Sequence, residues 1–173
     1  MEERKRSLLK RLEGFFSDDE TVEEASVFTA EELNAPVDIL RVLVTEYGAE
    51  LTDVLAEYYF APSEERDDVW YFTSVINIDP AVPMEGITAL SLAIAKLNFY
   101  IPYGSFAISG DGGLLVFKSV TALRSDSDDE KLYKDIELAA DNALFIPEQY
   151  TELLSQVADG SLLLEDFLSM LSH

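Results

Sequence analysis

The sequence predicts an α+β fold: a single antiparallel sheet of about five strands, with helices packed mainly on one face, in the order α-β-β-β-α-β-β-α. Three observations predict it. Short runs rich in β-branched and aromatic residues lie at 37–44, 52–60, 69–78, 105–109 and 114–120, and adjacent runs can be joined by tight turns, which makes neighbours antiparallel. One long apolar helical pattern, Met84–Asn98, separates the third run from the fourth. Amphipathic helical patterns occupy both ends of the chain. The 173 residues read as one domain, large enough to bury its own core. An N-terminal amphipathic helix lies within 1–20, an α+β core spans 37–145, and a C-terminal helical extension covers 147–173.

The first helix rests on Leu8, Leu9, Leu12, Phe15 and Phe16, which share one stripe at helical spacing. Ser17-Asp18-Asp19-Glu20 ends it, and the acidic stretch from there to Asn34 fits no single element. Pro36 marks a boundary before Val37–Val44, the first strand. Tyr47-Gly48-Ala49-Glu50 can turn the chain into residues 52–60, the second. Pro62–Asp68 reads as a charged loop. Residues 69–78 form the third strand, and Asp79-Pro80 and Pro83 stop it.

Pro83 suits the first turn of a helix, where its missing N–H has no partner to lose. The helix that follows carries Ile87, Leu90, Ile94 and Leu97 on one stripe, with alanines and Leu92 filling much of the rest. Its one charge between Ile87 and Leu97 is Lys96. A helix this apolar must be covered on more than one side, by the sheet and by the terminal helices or a second subunit. Ser105–Ser109 and Leu114–Val120 flank Gly110-Asp111-Gly112-Gly113, a hairpin signal, because a type I′ turn needs positive φ at both central residues. These glycines are no phosphate cradle, since no Gly-Lys-Ser/Thr accompanies them and no helix follows. Ser127-Asp128-Asp129-Glu130 has the spacing of a capping box. The helix it opens runs through Leu132, Ile136, Ala139 and Ala143, and Pro147 is expected to interrupt it. Tyr150, Leu153, Leu154 and Val157 continue an apolar face, Asp159-Gly160 offers a stop, and Ser161–Leu171 forms a last short helix.

Composition removes several chemistries. The chain holds 12 Lys plus Arg against 34 Asp plus Glu, a formal charge of −22, with no Cys and one His, the last residue. There is thus no disulfide framework, no thiolate metal site and no Ser-His-Asp triad. Such a charge repels phosphate backbones, so no nucleic-acid partner is expected. No run approaches the ~20 apolar residues of a spanning helix. Met1 is followed by charged residues with no signal-like run, and Glu2 stands where a myristoylation signal needs glycine. The expectation is a cytoplasmic protein with no membrane partner. Five basic residues (Arg4, Lys5, Arg6, Lys10, Arg11) crowd into the first eleven positions, net +3, while the remaining 162 residues carry net −25. That basic helix can dock on its own acidic body or lie on a membrane surface; repulsion of the body by anionic lipid favours docking.

Carboxylates are the abundant catalytic type. A glycosidase needs two at a fixed separation, but with 34 to choose from a pair has no specificity. An EF-hand begun at Asp126 would put Asp126, Asp128, Glu130 and Glu137 at ligand positions, yet Lys131 stands where the loop needs Gly. No catalytic residue, cofactor or metal site is therefore assigned. Tyr58, Tyr59, Phe60, Trp70, Tyr71 and Phe72 lie on two paired strands, and alternation sends them to opposite faces. One set joins the core. The other either lines an open face able to take a peptide or a second subunit, or lies beneath the N-terminal helix. Leu92, Ala95, Tyr59, Trp70 and Phe72 are the candidate protein-binding or dimer surface.

Leu97-Asn98-Phe99-Tyr100-Ile101-Pro102-Tyr103-Gly104-Ser105-Phe106-Ala107-Ile108, followed by Asp111-Gly112-Gly113-Leu114-Leu115-Val116-Phe117, resembles the helix end, strand and hairpin of YbjN-like bacterial domains, which have the type III secretion chaperone-like fold. The resemblance covers residues 37–145 by element order. It implies a small, commonly dimeric cytosolic domain that generally lacks catalytic residues, and chaperones of this fold bind extended client segments. Asn98 reads from its own chemistry as a helix-end cap. The expected function is a non-enzymatic protein-binding or regulatory module, a homodimer that also engages a protein partner. The alternatives are a carboxylate-dependent hydrolase acting on a small molecule or carbohydrate, and a structural subunit of a larger assembly.

Overall fold

In a computed structural model, which describes residues 1–48, 52–62, 68–109 and 113–171, the chain runs α1 (Glu2–Ser17), β1 (Val22–Phe28), α2 (Ala30–Leu33), β2 (Ile39–Tyr47), β3 (Thr52–Ala61), β4 (Val69–Ala81), α3 (Ile87–Tyr100), β5 (Ser105–Ile108), β6 (Leu114–Arg124), α4 (Asp129–Asp159) and α5 (Leu164–Met170). The strands form one open sheet in the order β1-β2-β3-β4-β6-β5, every pair antiparallel. The expected α+β class with one antiparallel sheet is what forms, with six strands among the described residues instead of about five. The tight turn at Ala49-Glu50, most of the charged loop and the Asp111-Gly112 turn lie outside the described residues.

The additional strand is β1, from the acidic stretch that fits no element by pattern. Its register puts Val22, Ala25 and Val27 opposite Val44, Val42 and Leu40 on the helix-covered face, and Glu24 and Ser26 opposite Leu43 and Arg41 on the other. A register shift between Val22 and Glu24 breaks strict alternation, which hides the period of two. Thr29 then caps the single turn of α2 in a reciprocal box with Glu32.

The buried apolar alternation of these strands points to one side. Leu40, Val42 and Val44 on β2, Val54, Ala56, Tyr58 and Phe60 on β3, Trp70, Phe72, Ile76 and Ile78 on β4, and Leu115, Phe117 and Leu123 on β6 are buried there. They meet Leu8, Leu9, Leu12 and Phe16 of α1 and the stripe Leu132, Ile136, Ala139, Ala140 and Ala143 of α4 in one core that reaches Phe167 of α5. Phe16 stacks on Tyr58 at 5.3 Å, and Tyr58 on Phe72 at 6.1 Å. Ion pairs hold α1 in place: Arg4–Asp129, Arg6–Asp38 and Arg11–Glu130. Arg4 also donates to the carbonyls of Ser125 and Ser127. The basic helix is thus docked on the acidic body. Among the described residues, no helix is long and apolar enough to cross a membrane.

Three local expectations need correction. Pro147 does not interrupt α4, which runs through it for 31 residues. An interior proline costs roughly 3 kcal/mol, but Pro147 is itself buried in the stripe that continues to Leu154 and Val157, so packing along the whole helix outweighs the lost bond. The helical extension after 147 is accordingly the second half of α4 plus α5. The central helix starts at Ile87 with Gly86 as its N-cap, and Pro83 belongs to the preceding turn, where its carbonyl accepts from Gly86 N–H. The α4 cap is Asp128, which accepts from Lys131 N–H, one residue beyond the Ser127 box.

Candidate docking surfaces

The five candidate surface residues separate into three environments. Trp70 and Phe72 are not surface residues. They sit on the helix-covered face of β4, 5% and 1% exposed, with Phe60 packed edge-on against both rings and the cations of Arg4 and Lys5 over the indole. Period-two alternation decided this: their side chains share the face taken by α1 and α4, which a strand pattern alone does not reveal. Tyr59 points the other way. It lies opposite Thr73, half-buried on the face that no described helix covers, and burial, then the charge of Glu57, raises its phenol pKa. Tyr71 shares that face, as do Ile39, Leu43, Leu55, Val75 and Val120 by register. The aromatic set therefore divides: Tyr58, Phe60, Trp70 and Phe72 lie under helices, Tyr59 and Tyr71 do not.

Leu92 and Ala95 are exposed on α3. The helix buries Leu90, Ala93, Ile94 and Leu97 against the core shared with α4 and α5. On its outward side Leu92 is 56% and Phe99 82% exposed, with Ala95 and Tyr100 beside them. Phe99 packs edge-on to Tyr100, and Lys96 lies over the Tyr100 ring. So the terminal helices cover one side of α3, and no described residue covers its apolar outer side.

Asn98 has a role that the sequence reading missed. It is inside α3 and caps no helix end. Its side-chain amide bonds both backbone groups of Phe106: Phe106 N–H donates to Oδ1 at 2.8 Å, and Nδ2 donates to Phe106 C=O at 3.0 Å. This ties the outer edge of β5 to the helix. The eight-residue separation across Gly104, whose φ of 73° and contact with the Phe117 ring exclude a side chain, is the signal in the sequence. Asn98→Leu keeps the shape and leaves both buried groups unpaired. It is expected to lower the unfolding free energy by about 2–3 kcal/mol, measurable by urea denaturation.

A cleft of about 230 Å³ lies between α4, β6 and the segment after α3. Tyr103, Thr121, Leu123, Leu138, Ala139, Asp135 and Asn142 line it, and Tyr103 bonds the Thr121 hydroxyl at 2.7 Å. Asp135 is the single charged residue there. A far smaller space of about 10 Å³ holds Glu2 and Asp38, but Glu2 is paired with Lys5 and Asp38 with Arg6. The Arg6 hydrogen bond, with a further one from Ala30 N–H, holds the Asp38 carboxyl below its usual pKa. Neither space brings two free carboxylates together. Among the described residues no group of three or more Asp, Glu or His side chains is placed to hold a metal ion. Asp126 is paired with Arg124 and Asp128 caps α4. No protein-family model matches the sequence, and no curated protein matches it.

Proposed function

We propose that the chain is a non-enzymatic, cytosolic protein-binding or regulatory module that forms a homodimer through the outward side of α3. One observation carries this reading: in a protein of charge −22, α3 bears no acidic residue and exposes Leu92, Ala95, Phe99 and Tyr100 together. Exposed aromatic and aliphatic residues gathered on one patch favour macromolecular contact over solvent. Two copies so acidic repel one another over most of their surface, and α3 is a place where they can meet without opposing carboxylates. The order β2-β3-β4-α3-β5-β6-α4 is that expected of YbjN-like domains and supports the same reading, with β1 and α2 as an addition.

Light scattering at increasing concentration is expected to give twice the chain mass. The double variant Leu92→Glu with Phe99→Glu adds two carboxylates per copy to the patch and is expected to give the single-chain mass with an unchanged circular dichroism spectrum. A wild-type chain that stays at 19.3 kDa at all concentrations refutes the dimer.

A further inference from the structure

The two outermost strands of the sheet are each capped by a side chain. On β1, Val27 N–H donates to Glu13 of α1 at 2.8 Å. On β5, Asn98 takes both groups of Phe106. Capped edges of this kind keep a sheet from pairing with foreign strands. The longest stretch of edge without such a bond among the described residues is on β6. β5 is four residues long and pairs only with Leu115–Lys118, whereas β6 continues to Arg124 along β4. On its other side, Ser119–Arg124 has no described strand beside it and no described side chain bonded to its backbone. The direction of its groups follows from Asn98. Phe106 turns its N–H and C=O to Asn98, away from β6, so its partner Phe117 turns its own toward β4. Alternation along β6 then points the N–H and C=O of Val120 and Ala122 outward, and both residues are exposed.

The cleft described above adjoins this edge. Thr121 and Leu123 supply its floor from β6. Ala139, with Asp135, Leu138 and Asn142 at helical spacing, supplies its wall from α4. Leu138 is 61% exposed. The side chains of Asp135 and Asn142 have no hydrogen-bond or ion-pair partner among the described residues. Main-chain groups free to pair, an apolar recess for alternate side chains and a lone carboxylate on the rim together specify an occupant.

We infer that the open half of β6, Ser119–Arg124, takes up an extended cationic segment of a partner protein as a further strand, with its alternate side chains in the cleft and a Lys or Arg on Asp135. The chain's charge of −22 draws such a segment in and disfavours an acidic one. This rests on the reading of the chain as a protein-binding module, and is independent of the α3 dimer.

The test is selection of a displayed library of random twelve-residue peptides on the full-length chain. Enriched peptides are expected to alternate apolar residues and to carry Lys or Arg. A synthetic copy of one is expected to slow amide hydrogen exchange at Val120 and Ala122. Ala122→Pro removes an outward N–H while leaving the β4 ladder intact, and is expected to weaken binding about tenfold. Asp135→Lys, on an exposed helix position, leaves the overall acidic charge in place and is expected to abolish the preference for Lys or Arg at the one peptide position that meets residue 135. The proposal is overturned if no peptide is enriched, if protection falls elsewhere, or if the Lys or Arg preference at that one peptide position survives Asp135→Lys. Protection of Val120 that grows with chain concentration in the absence of peptide would assign the edge to a second copy and overturn it equally. Repeating the selection on the Leu92→Glu, Phe99→Glu variant separates the two readings: that variant changes mass if α3 is the dimer surface, and keeps its peptides if β6 is the strand site.

Discussion

Gly86→Ala is expected to lower the unfolding free energy by about 3 kcal/mol, and the melting temperature by roughly 6–12 °C. The reason is space and not conformation. Gly86 has φ −87°, which any residue adopts, but a Cβ there would overlap the carbonyl of Ala158 near the end of α4. The obstacle is main chain, so no side-chain rotamer relieves it. Gly86 also anchors the start of α3, since its carbonyl accepts from Leu90 N–H and its N–H donates to Pro83. Moving α3 away from α4 to admit a methyl group would open the contacts that hold Leu90, Ala93 and Ile94 in the core. Chemical denaturation of the variant reads the effect directly. A midpoint within experimental scatter of the wild type would show that the start of α3 and the end of α4 do not meet this way.

Phe72→Ala is expected to cost about 3–5 kcal/mol, and Tyr59→Ser about 1 kcal/mol or less. The two residues lie on neighbouring strands and belong to one set of aromatic residues by sequence, yet they face opposite sides of the sheet. Phe72 is 1% exposed, with the rings of Tyr58 and Phe60 at 6.1 and 5.6 Å, so its removal leaves a cavity beneath α1 and α4. Tyr59 lies half-buried on the face without a described helix, and its phenol makes no hydrogen bond among the described residues, so truncation there leaves no enclosed void. Urea unfolding of the two variants side by side compares the faces. Equal losses, or a larger loss at Tyr59, would mean that the helical layer lies on the other side of the sheet.

The contrast also shows why part of the candidate surface was legible in the sequence and part was not. Leu92 and Ala95 were recognisable because α3 is apolar around most of its circumference, and no sheet covers all sides of a helix. Asn98 reads from the sequence as a helix-end cap, and its partner, the backbone of Phe106, is visible only once α3 and β5 lie side by side. By sequence Trp70 and Phe72 group with Tyr59, because composition does not distinguish the two faces of a strand; the buried one is chosen by where α1 and α4 settle. The open half of β6 left no local signal at all. It exists because two paired strands differ in length, a relation between Ser105–Ile108 and Leu114–Arg124 and not a property of either.

The amino-acid sequence by itself determined the element types and most of their order, because periods of two and 3.6 and the residues that cap or break them act within a few positions along the chain. It also determined the charge that sets apart the acid-free helix α3. Tertiary structure alone decided which face of the sheet is buried, that α4 passes through Pro147, that the acidic segment Val22–Phe28 becomes an edge strand, and which strand edge stays open. Those outcomes depend on contacts between residues distant in the chain, such as Phe16 with Tyr58 and Arg4 with Asp129, where burial and pairing energies exceed the local preferences that a sequence displays.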